Sequence, residues 1–251
     1  MTAPFRGLGI FLRGLNPANV SRTAIGFKEA GASVALLMAE SNDGSRPKPD
    51  VIASYASALR DVADCRIWIW TFPGRADLAT MSALYACELA EKVSADGICL
   101  DVEVAFKQQK SAARDLVATA IDGIKEGRAL AVSSYPIAAF HPTMPWAEMS
   151  AGLGWPQIYD TAGDRKLARR AISEWRTRHG GVAFVSPTLA AYESAKRKDG
   201  AGQLWSDFQN VCLDDAGKCD VPGVTIWSDP SLDHKEREVC ARIAGLLRGV
   251  P

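Results

Sequence analysis

Short apolar runs of β-prone residues recur along this chain, each closed by a turn signal and followed by a stretch of helical periodicity. The strand-like runs fall at residues 7–12, 33–38, 66–72, 96–103, 129–133, 155–159, 182–185 and 224–227. Helical stretches follow at 20–30, 51–62, 77–93, 108–126, 164–178, 200–210 and 233–247. The segment 135–154, broken by Pro136, Pro142 and Pro145, reads as a loop with one short helix. Strands that alternate with helices pair in parallel, each helix crossing over the sheet. Eight such units close on themselves, so the predicted fold class is α/β, a (β/α)8 TIM barrel in a single domain over residues 1–251. The competing open, doubly wound sheet has no Gly-rich phosphate loop here to recommend it.

In such a barrel the reactive groups sit at the C-terminal ends of the strands. The run Asp96-Gly97-Ile98-Cys99-Leu100-Asp101-Val102-Glu103 ends in two carboxylates. Alternation along a strand turns Leu100 and Val102 one way and Cys99, Asp101 and Glu103 the other. The two acids then lie roughly 6.5–7 Å apart at their α-carbons. Like charges that close, at the end of an apolar strand, push at least one pKa upward, and a carboxyl kept protonated can donate to a leaving oxygen. The bland reading of the same pair is a helix cap or an ion-pair partner.

The other predicted strand ends carry Arg13, Glu40, Trp70 and Phe72, Ser134 and Tyr135, Tyr159 and Asp160, Ser186, and Trp227 with Asp229. This rim is rich in acids and aromatics, a pairing that suits sugars: a ring face packs on an aromatic while hydroxyls bond to polar groups. Core packing is the expected role of Trp68, Trp175 and Trp205, and a site role that of Trp70, Tyr159 and Trp227.

Composition narrows the partners. Twenty-nine basic and twenty-nine acidic residues balance, and no basic block supports nucleic-acid binding. No apolar run is long enough to span a membrane. Neither the six cysteines nor the three histidines show metal-ligand spacing, so no metal and no cofactor is expected. Cys212 and Cys219 flank a polar loop and could close a small disulfide ring. Residues 1–14 lack the basic start, apolar stretch and cleavage site of a secretory signal. A protein made without such a signal is expected, cytoplasmic or delivered to the cell wall by another route. Oligomeric state is left open.

Residues 96–103 resemble the DGxDxDxE signature of family 18 glycoside hydrolases, the chitinase-like barrels, which also carry it on strand four. Gln157-Ile158-Tyr159-Asp160 resembles that family's strand-six Tyr-Asp/Asn, and residues 224–229 its strand-eight segment with a sugar-stacking Trp. Cys99 stands where the signature has its first Asp. Leu100-Asp101-Val102-Glu103 also resembles the LDxE strand of family 25 lysozymes, and residues 28–37 their early helix-strand unit, although strand one here ends without that family's acid.

Both resemblances imply a glycosidase acting on a polysaccharide, a β-1,4-linked N-acetylhexosamine polymer, with peptidoglycan favoured over chitin. They imply Glu103 as proton donor, Asp101 as the group that orients and stabilises the substrate's own N-acetyl nucleophile, and Tyr159 as a hydrogen-bond donor to that acetyl group. Trp227 would floor the sugar site, with Trp70, Phe72, Tyr135, Asp160 and Asp229 around it. The alternative is a non-catalytic glycan-binding or structural barrel, for which Cys99 is the supporting feature.

Overall fold

A computed structural model of the chain describes residues 5–150, 152–159, 162–178, 184–191, 199–228 and 232–249. Its strands are β1 (Gly7–Leu12), β2 (Val34–Glu40), β3 (Arg66–Thr71), β4 (Gly97–Asp101), β5 (Ala129–Ser134), β6 (Leu153–Pro156), β7 (Phe184–Val185), β8 (Thr188–Ala190) and β9 (Gly223–Trp227). They form one parallel sheet in the order β7-β6-β5-β4-β3-β2-β1-β9-β8. The helices between them are α1 (Val20–Glu29), α2 (Pro49–Ala63), α3 (Ala79–Lys92), α4 (Lys110–Gly123), α5 (Arg165–Arg178), α6 (Gly200–Cys212) and α7 (His234–Leu247).

The two ends of that sheet are consecutive in the chain, and this closes the barrel. Ser186 N donates to Gly154 O at 3.0 Å and Ile158 N to Thr188 O at 2.9 Å on one side. On the other side Thr225 N donates to Pro187 O at 3.0 Å and Ala191 N to Trp227 O at 2.9 Å. β7 and β8 are therefore two halves of the seventh barrel strand, interrupted at Pro187, which has no N–H to give the ladder. The sequence starts that strand at residues 182–185 and predicts its end near Ser186; it continues past the proline, and residues 182–183 lie outside the described residues.

The sixth strand also differs from expectation. It was read as residues 155–159 but spans Leu153–Pro156. The Gly152-Leu153-Gly154 stretch looks like a turn, yet Leu153 is needed inside the barrel, and Pro156 is accommodated where the neighbouring strand breaks. Gln157 follows in a single bridge to Thr188. In the fifth crossover the short helix is a single 3-10 turn, Ala138–Phe140.

Two apolar layers result. Outside the strands, Leu8, Ile10, Leu37, Ile67, Ile69, Ile98, Leu100 and Val132 pack against the helices. Inside, Phe5, Phe11, Leu36, Met38, Trp68, Trp70, Cys99 and Trp155 fill the barrel. The alternation read from β4 holds, with Leu100 and Val102 outside and Cys99 inside. Gly97 is required below Cys99: a Cβ there would lie 2.7 Å from both Ala129 O and the Trp68 ring. Trp68 and Trp175 are core residues, as expected. All six cysteines are free thiols, so the ring that the loop between Cys212 and Cys219 could close does not form. Cys219 pairs opposite Leu213 rather than Cys212, and successive residues of an extended pair point to opposite faces.

Candidate active site

β4, β5 and β6 each deliver one polar side chain to the C-terminal mouth of the barrel. Asp101 ends β4 and pairs in register with Ser133 of β5. Its carboxyl is buried, at 1% exposure, above the apolar interior. Gln157, just past β6, donates from Nε2 to Asp101 Oδ1 at 2.6 Å and to Ser133 Oγ at 3.1 Å. Glu103, two residues further along, is half-buried. The chain turns there into a 3-10 segment, Val104–Phe106, and Ser134 Oγ bonds the carbonyl of Val102, tying the end of β4 to β5.

Burial shifts these acids more than any other influence. It pushes Asp101 well above the usual carboxylate range, with the nearby Glu103 charge adding to the rise. Hydrogen bonds from Ser133 and Gln157 work the other way. Burial also raises Glu103. Each deprotonation makes the other harder, so the two titrate as a pair. The pair holds a proton to higher pH than two exposed acids would, which suits it to proton donation.

Tyr135, at the end of β5, is half-buried, and its phenol is raised first by burial and then by Glu103 and Asp101. Its ring stacks on His141 at 3.9 Å, with the planes 8° apart. Lys107 Nζ lies 5.5 Å from the same ring centroid. Burial and Lys107 together lower His141. Lys107 has no carboxylate partner among the described residues.

Across the mouth, Trp227 is half-buried and leans on Phe11 at 5.2 Å and Trp70 at 5.1 Å between ring centroids. Trp70 departs from expectation: at 0% exposure it has no free face for a sugar, and its Nε1 bonds Leu12 O at 3.4 Å. It is the support beneath Trp227. Phe72 and Tyr159 are half-buried. Asp160 and Asp229 lie outside the described residues. Glu40 is withdrawn from the rim: a β-bulge after Met38 displaces it, and it pairs with Arg46 at 3.2 Å.

Sequence reasoning assigned no role to Ser133 or Gln157. Alternation could have found Gln157, since it shares a strand face with Trp155 below and Tyr159 above. Among the described residues, no group of three or more His, Cys, Asp or Glu side chains could hold a metal ion, and no helix is long and apolar enough to cross a membrane.

No protein-family model matches the chain, and no curated protein matches it. Solved structures do. A family 18 chitinase from the chitin utilization locus of Flavobacterium johnsoniae superposes with a TM-score of 0.66, covering 95% of this chain and 94% of that one at 11% identity. In fold the chain is chitinase-like. The spore cortex-lytic enzyme of Bacillus cereus matches with a TM-score of 0.63 at 11% identity, over 94% of this chain and 73% of its own. A dihydrodipicolinate synthase of Agrobacterium tumefaciens, a barrel of different chemistry, matches at 0.56 and 11% identity, over 98% of this chain and 77% of its own. At such identity the likeness shows the barrel, and the chemistry has to be argued from the mouth.

Proposed function

We propose that the chain is a glycoside hydrolase that cleaves β-1,4 bonds of an N-acetylhexosamine polymer by substrate-assisted, retaining catalysis. The observation that carries this reading is the pair Asp101 and Glu103 at the mouth of β4, both raised by burial and Asp101 further by the Glu103 charge. Two acids from one strand end cannot flank a glycosidic bond from opposite faces, as a protein nucleophile and a proton donor would. The nucleophile is then the substrate's N-acetyl oxygen. Glu103 protonates the leaving oxygen, Asp101 stabilises the cationic oxazolinium, Tyr159 hydrogen-bonds the acetyl carbonyl, and Trp227 stacks under the ring. The likeness in fold to a family 18 chitinase and to a spore cortex-lytic enzyme supports this class.

Lys107 favours peptidoglycan over chitin. Chitin is neutral, whereas peptidoglycan carries lactyl and peptide carboxylates, and Lys107 offers an unpaired cation on the rim beside Tyr135. Release of reducing ends from purified peptidoglycan and from chitin oligomers, side by side, tests the reading. Peptidoglycan is expected to turn over faster, and Lys107→Met to raise its KM about fivefold or more while leaving chitin oligomers unchanged, as for a lost charge-assisted contact. Chitin cleaved faster than peptidoglycan would reverse the substrate preference.

The second reading, a barrel that binds glycan without cutting it, is favoured by Cys99, a fully buried thiol below Asp101 where the chitinase-like signature has an acid. Binding without any new reducing ends is its expected outcome.

A further inference from the structure

We propose that Gln157 is a positioning residue for Asp101: its amide fixes that carboxyl from the side and favours its ionised form. The proposal rests on the glycosidase reading for its catalytic meaning, and on geometry for the rest.

Asp101 receives no support from beneath. Below it the barrel holds Cys99 and the indoles of Trp70 and Trp155, an apolar floor. Among the described residues, its carboxyl is hydrogen-bonded by Ser133 and Gln157 alone. Of these, Gln157 is the better anchored. Its backbone N donates to Ser134 O at 2.9 Å, its chain bridges to Thr188, and its side chain is buried. Backbone and amide together therefore tie β4, β5 and the seventh strand at the level of the acids.

A Gln amide has two N–H groups, and its nitrogen serves Asp101 Oδ1 at 2.6 Å and Ser133 Oγ at 3.1 Å. Hydrogen bonds to an ionised carboxyl are the stronger ones, so the amide favours Asp101 in the ionised form that the oxazolinium needs. A neutral amide does this without adding charge to a crowded site. Besides Glu103, the titratable or charged groups around Asp101 are Cys99 on β4, Tyr135 and Tyr159 at the ends of β5 and β6, and His141 and Lys107 behind Tyr135.

Gln157→Met keeps length and bulk and removes the hydrogen bonds. Loss of the amide withdraws a group that favours ionisation of Asp101, so the acid limb of the kcat–pH profile is expected to move to higher pH. Turnover at the optimum is expected to fall about tenfold or more with KM within about twofold, since the lost contact acts on Asp101 rather than on bound glycan. Gln157→Glu, the same shape with a third carboxyl, is expected to be at least as slow. A 13C NMR titration of the Asp101 and Glu103 carboxyls in wild type and Gln157→Met needs no substrate, so it decides the role of Gln157 even in a chain that cleaves no glycan. Upward movement of the Asp101 titration is the expected result. An unmoved Asp101 titration in a variant that still folds by thermal melting, or a Gln157→Glu enzyme with the wild-type rate, would overturn the proposal.

Discussion

Glu103 illustrates how a site residue and a stable fold pull against each other. Burial raises its pKa in the folded chain above its value in the unfolded one. A carboxyl raised in this way stabilises the fold while protonated; the contribution is complete below the unfolded-state value and is lost as pH rises through the folded-state value. Glu103→Gln keeps the shape without the charge. It is expected to melt at a higher temperature than wild type at neutral and alkaline pH, with the gap closing toward about pH 4, where both side chains are neutral. Thermal melts across that range check this, and a gap that widens toward acid would contradict the burial of Glu103. Trp227 and Trp70 divide along the same line between site and core. Trp227→Ala is expected to weaken glycan binding about tenfold, on the scale of a lost stacking contact, with little change in melting temperature. Trp70→Ala, emptying the barrel interior, is expected to cost about 3–5 kcal/mol of stability, read from denaturant unfolding.

At the scale of elements, β4 shows what a strand must give up to hold acids at its end. Gly97 yields its side chain to the Trp68 ring, and Gly97→Ala is expected to lower the melting temperature because the added methyl meets a backbone oxygen at 2.7 Å, which cannot swing away. Helix α7 begins on a capping box: Asp233 accepts from Glu236 N, and the Glu236 carboxylate accepts from Asp233 N, both at 2.8 Å. Asp233→Ala is expected to cost about 1 kcal/mol. The chain's strands β1, β3, β5 and β9 were legible because parallel strands buried on both faces read as unbroken apolar runs. β6 was not, since its Gly and Pro residues look like a turn until the break in the neighbouring strand explains them. In the site, Asp101 and Glu103 were legible through two-residue alternation. Alternation puts Gln157 on the face of Trp155 and Tyr159, but the roles of Gln157 and Ser133 were not legible, because a neutral polar residue gains meaning only when three strands set it beside an acid. Nor does sequence say how deep an indole sits, which is why Trp70 and Trp227 looked alike.

Across the whole molecule, closure places two kinds of chemistry on opposite sides of one mouth. β4, β5 and β6 contribute the acids and their hydrogen-bond partners, while β9 and β1 contribute Trp227 and Phe11. That arrangement depends on the seventh strand completing the ring on both sides of Pro187. The most direct test is the rate of Glu103→Gln on the glycan that the wild type cleaves, measured beside its affinity for the same glycan. Loss of the proton donor is expected to lower kcat about a hundredfold or more, the usual worth of general acid catalysis, with affinity largely retained. A Glu103→Gln enzyme that turns over at the wild-type rate would contradict the assignment of Glu103 as the acid.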